Sequence, residues 1–195
     1  MSLLDDNTAC GAAIQELLWD LLERHRYSDD ERSVWVAGCM NLALEHHKAI
    51  SLLIQWQLTG SAFALVRPMV DTVMRALWIN KVASDEEVKR ARDDDKYVFP
   101  PMPQMIEAVR TAYGDDKFFQ FTSAWDAMHS YTHSGARQIA RRYTGTDLKP
   151  SYTEGAKVEA LNLTNHGVLF LAEKFFESTG HQPEADEIKR LRGQP

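Results

Sequence analysis

The apolar residues of this chain recur with the period of an α-helix almost from end to end. Ile14, Leu17, Leu18, Leu21 and Leu22 fall on one face of a first helix, which Asn7 or Thr8 would cap and which ends near Arg26. Ser28 followed by Glu31 has the spacing of a capping box, and Val34, Ala37, Met40 and Leu44 carry the periodicity on to Ile54. Gly60 reads as the stop of that helix, because a residue without Cβ takes the left-handed conformation at little cost. "SAFALVRPMVDTVMRALWINKVA" is helical again but holds Pro68, so the pattern predicts a kink there, or a restart with Pro68 in the first turn.

Ser84 and Glu87 make a second capping box, "YVFPPMPQ" reads as a loop, and two short helices follow around Met105–Tyr113 and Lys117–His133. Thr153 to Ser178 forms another long helix closed by Gly180, and "PEADEIKRLRG" a last amphipathic one. No useful length alternates with period two. The expectation is an all-α protein, a helical bundle with three long helices and several short ones, in one domain over residues 1–195.

Composition narrows the functional classes. Hydrophobic residues make up 44% and charged ones 26%, as in an ordinary soluble protein. The net charge of −6 disfavours non-specific nucleic-acid binding through bulk charge, though Arg137, Arg141, Arg142 and Lys149 form a local basic patch. Two cysteines without a CxxC motif predict neither a disulfide scaffold nor a zinc ribbon, and point to the cytoplasm. No signal peptide or bilayer-spanning run is expected, so no membrane partner is either. The chain lacks a P-loop, GxGxxG, GxSxG and HExxH, so no cofactor is expected.

Three constellations carry candidate chemistry. In "WDAMHSYTHSG", His129 and His133 share a helical face with Asp126 close to it. Such a set suits a transition metal if Glu45, His46 or His47 adds a ligand, but a polar helix end with locally bonded histidines explains it as well. In "VRPMVDTVMRALW", Arg67, Asp71 and Arg75 form one polar row on an otherwise apolar helix. That row is either an ion-pair ladder fixing helix register, or the lining of a pocket for an anion. Arg137 and Arg141 in "ARQIARR" share a face on which a phosphate could dock.

Three blocks, "LEHHKAISLLI", "TGSAFALVRPMVDTVMRALW" and "HSYTHSGARQIARR", in this order within Leu42–Arg142, resemble a bacterial family of helical proteins of unknown function, similar in turn to the HEPN-like superfamily. That resemblance implies a helical bundle, pairing as a homodimer, and a metal-independent ribonuclease or toxin. There a histidine would move the 2′-OH proton and an arginine would stabilise charge on the phosphate. In HEPN ribonucleases an arginine stands ahead of the histidine at a short interval that varies within narrow bounds. None of the seven histidines here has one at that interval, and Arg137 follows His133 instead. Two readings result. One is a non-catalytic interaction or ligand-binding module with a polar pocket near Arg67, Asp71, Arg75, His129, His133, Arg137 and Arg141. The other is a ribonuclease with His133 or His129 as base and Arg137 or Arg67 as phosphate clamp, acting on RNA. Candidate partners are a second copy of the chain, RNA, or a small anionic ligand.

Overall fold

Side-chain caps decide where the helices begin. The computed structural model describes residues 2–26, 28–114 and 118–193. Helix α1 (Leu3–Arg24) opens on a reciprocal box in which Ser2 Oγ accepts from Asp5 N at 3.2 Å and the Asp5 carboxylate accepts from Ser2 N at 3.0 Å. That box overrides the caps expected at Asn7 and Thr8, whose side chains instead donate back to the carbonyls of Leu3 and Leu4. Helix α2 (Glu31–Gln55) is capped by Asp30, which accepts from Ser33 N at 3.0 Å. Ser28 only accepts from Asp30 N, so the expected pairing of Ser28 with Glu31 does not form.

Gln57 takes the left-handed turn (φ 59°) between α2 and α3 (Thr59–Lys81). Gly60 is therefore not a stop; it lies buried in the first turn of α3. The expected box of Ser84 and Glu87 does open α4 (Asp85–Asp93), at 3.3 and 2.8 Å. After α5 (Met102–Tyr113), the predicted Lys117–His133 helix is two pieces: a 3-10 turn over Phe118–Ala124, then α6 (Trp125–Thr132). Lys117 itself lies outside the described residues. Helices α7 (Ala136–Ala140), α8 (Glu154–Ser178) and α9 (Gln182–Arg192) complete the chain. Gly180 closes α8 as expected, at φ 81°, with His181 N donating to Phe176 O at 2.9 Å.

The protein is all-α: helices α2, α3 and α8 pack on one another, with α1 as a fourth helix of more than twenty residues against α2 and α8. Leu18, Met40, Leu44, Ile50, Met69, Met74, Leu77, Phe170, Phe175 and Phe176 are fully buried where these helices meet. Among the described residues no helix is long and apolar enough to cross a membrane.

Helix α3 runs unbroken through Pro68, where a kink or restart was expected. Proline has no N–H, so the carbonyl of Ala64 loses its helical donor. The Thr132 hydroxyl of α6 lies 3.2 Å from that carbonyl and can donate to it, sharing its hydrogen with Met128 O at 3.0 Å. A distant segment thus answers the defect that the sequence shows locally.

Two polar assemblies are built into the core. Between α1, α2 and α8, His47 Nε2 donates to Asn165 Oδ1 at 2.6 Å and its Nδ1 accepts from Gln15 Nε2 at 2.5 Å. Gln15 also donates to Leu44 O at 2.8 Å and accepts from Trp19 Nε1 at 3.0 Å. Burial pushes the His47 imidazole below its ordinary pKa, against the opposing bond to Asn165. Between α8 and α9, the fully buried Glu173 takes Arg192 Nε at 2.7 Å and Lys174 Nζ at 2.6 Å.

Candidate ligand cleft on the third helix

The row Arg67, Asp71, Arg75 does not close into a core ladder. It lies along one side of an open cleft of about 740 Å3. Trp35 of α2, Trp125 of α6, and Tyr97 and Phe99 from the proline-rich loop supply aromatic walls; Asp94 and Asp95 add two more carboxylates. Sequence pattern missed these partners, because they come from three segments well separated along the chain.

Each arginine is already set against a ring. Arg67 Cζ stands 4.7 Å from the Trp125 ring centre and Arg75 Cζ 4.7 Å from that of Phe99. Arg67 also reaches Asp71, but only at 3.8 Å, and Arg75 makes no salt bridge among the described residues. Burial raises the Asp71 pKa above the ordinary carboxylate value, although Arg67 and Arg75 oppose it. Arg75 is also the nearby charge that partly offsets burial at Cys39, whose thiol is pushed up to about 11. The indole N–H of Trp35 is buried without a hydrogen-bond acceptor, having only the weakly accepting Cys39 sulfur beside it.

"HSYTHSGARQIARR" is a helix–turn–helix clamped on α3. Arg67 donates to His129 Nδ1, and the His129 and His133 rings lie 4.5 Å apart. Tyr131 stacks on Phe63 at 5.2 Å, and Gln138 Nε2 donates to Gly60 O at 3.0 Å. Ser134 takes the left-handed turn (φ 52°), and Ser130 Oγ accepts from Arg137 N at 3.1 Å, tying α7 to α6. Gly135 is required there, because a Cβ would sit 2.6 Å from Ser130 Oγ and 3.1 Å from its backbone.

The candidate residues therefore separate. Arg67, Asp71 and Arg75 line the cleft; His129 joins it through Arg67 and His133 through His129. Arg137 and Arg141 do not line it: Arg137 is exposed on α7, and Arg141 is tied to Ser151 O at 2.9 Å. His47, weighed as a metal ligand, is locked between Gln15 and Asn165. Among the described residues no three His, Cys, Asp or Glu side chains group as a metal site.

An all-α bundle with a polar, aromatic-walled cleft on its central helix is the class these features define. The chain belongs to a family of unknown function (DUF6988), whose model matches residues 40–194. The match takes in every cleft residue except Trp35. No curated protein and no solved structure matches the chain.

Proposed function

We propose that this protein is a non-catalytic ligand-binding module whose cleft takes a small planar aromatic molecule of low net charge. The observation that carries this reading is the row Arg67–Asp71–Arg75, incompletely paired and set between Trp35, Tyr97, Phe99 and Trp125. Flat rings offer stacking surface, and a carboxylate between two guanidinium groups offers both an acceptor and donors to one ligand edge. Two arginines against three aspartates leave the cleft slightly negative, which weighs against a polyphosphate. The test is calorimetric titration with adenosine, indole-3-carboxylate and ATP. Saturable binding of either small ring compound, weaker for ATP and lost in Arg75→Ala, supports the reading. Absence of binding by both ring compounds at millimolar concentration defeats it. The same reading places the protein in the cytoplasm, where Cys10 and Cys39 stay free.

A second reading rests on the contact of Arg67 with His129 and of the His129 ring with the His133 ring tilted against it. It gives a HEPN-like ribonuclease in which these histidines move a proton and Arg67 holds a phosphate. It also calls for a homodimer, which light-scattering mass measures. RNA cleavage by purified protein, lost in His129→Ala or His133→Ala, supports it; RNA left intact by the wild type sinks it.

A further inference from the structure

A second cluster of incompletely satisfied polar groups lies at the other end of α3. This helix has no side-chain cap: Leu58 holds the N-cap position, and the amides of Thr59 and Gly60 find no acceptor among the described residues. A helix this long carries partial positive charge at that end. Yet the group brought to it is another cation. A Cβ on Gly60 would lie 2.6 Å from an Arg142 terminal nitrogen and 2.9 Å from Cζ, so the guanidinium rests directly over the bare Cα. A Cα–Cβ direction leans toward the helix N-terminus, so the guanidinium lies on the side of Gly60 that faces the first turn and covers it.

Two further polar groups there are unsatisfied. The Tyr152 hydroxyl lies 3.0 Å from the same Gly60 Cβ position and is buried without a hydrogen-bond partner. Gln138, only 7% exposed, spends its amide nitrogen on Gly60 O while its carbonyl oxygen has no donor. Arg142 makes no ion pair or side-chain hydrogen bond among the described residues. The arrangement is braced: Ser151 N donates to Arg141 O at 2.9 Å, Arg141 donates back to Ser151 O at 2.9 Å, and the Tyr152 ring packs on Phe63 at 5.3 Å. Cation, helix terminus and buried hydroxyl repel or stay unsatisfied without a guest. An anion with several oxygens and one hydroxyl of its own satisfies all of them, Gln138 included.

We infer that the N-terminus of α3, with Arg142, Tyr152 and Gln138, is a binding site for a phosphate monoester group. It lies apart from the cleft, because none of Gly60, Gln138, Arg142 and Tyr152 lines that cleft. The neighbouring Trp56 and Tyr143 are exposed and can flank whatever carries the phosphate.

The experiment is calorimetric titration of the full chain with inorganic phosphate, and with a short 5′-phosphorylated oligoribonucleotide against its 5′-hydroxyl twin. Saturable phosphate binding is expected, reduced about tenfold or more in Arg142→Ala and about threefold in Tyr152→Phe. Gly60→Ala is the decisive variant. It puts a methyl group where Arg142 rests while keeping a good helix former, so binding is lost and thermal stability is kept. Tighter binding of the phosphorylated oligonucleotide than of inorganic phosphate identifies a nucleic-acid end as the source; equal affinity identifies a free monoester. Failure of the wild type to bind phosphate, or equal binding by wild type, Arg142→Ala and Gly60→Ala, overturns the inference.

Discussion

The Gln15–His47–Asn165 chain and the Arg67–Asp71–Arg75 row use similar side chains to opposite ends. In the first, both ring nitrogens of His47 and both ends of the Gln15 amide are engaged, and the same completeness holds at Glu173 with Arg192 and Lys174. In the second, Asp71 meets Arg67 only at 3.8 Å, and Arg75 rests on a ring instead of a carboxylate. Groups that answer one another hold helices in place. Groups left partly unanswered beside solvent are free to answer a ligand.

Breaking the closed set should cost most. Glu173→Gln leaves Arg192 and Lys174 facing a neutral amide, and the fold should lose about 3 kcal/mol in urea denaturation, with ligand titrations unchanged. His47→Ala strands Gln15 and Asn165 and should cost about 2 kcal/mol by the same measurement. The closed network also sets a pH dependence. The folded imidazole of His47 resists protonation, and so does that of His46 through burial, while the unfolded chain takes up protons as pH falls through the ordinary value of 6.5. Stability should therefore hold above that pH and decline below it, with a shallower decline in His47→Gln, read from melting temperature against pH.

Thr132→Val should cost about 1 kcal/mol, because Ala64 O then has no donor. That cost should vanish in a Pro68→Ala background, where the helix regains its own N–H; a double-mutant cycle measures it. The smallest change in stability belongs to the open set. Burial raises the Asp71 pKa, so ionisation at this position works against the fold once pH exceeds the folded value. Asp71→Asn should leave stability within about 0.5 kcal/mol or raise it, while weakening ligand binding at the cleft.

Much of this was readable from spacing alone. The long helices, the Ser84–Glu87 box and the shared face of Arg67, Asp71 and Arg75 depend on neighbours within a turn or two. What escaped depends on partners far along the chain. Pro68 suggests a kink until Thr132 is known to stand over Ala64 O. Gly60 suggests a stop until Gln57 is seen to make the turn, leaving the glycine for the approach of Arg142. Tyr97, Phe99 and Trp125 belong to the cleft only because loop and helix fold back on α3, and no periodicity encodes that. Gln15 and Asn165 gave no signal beyond being polar residues in long helices.

The carbonyl that Pro68 sets free also orders events in time. A chain made from its N-terminus exposes α3 to the solvent well before Thr132 exists, since the two residues of that bond are separated by 68 positions. Until then water must serve Ala64, and the middle of α3 is its weakest turn. The helix at the centre of the bundle is thus among the first to be synthesised and among the last to be finished.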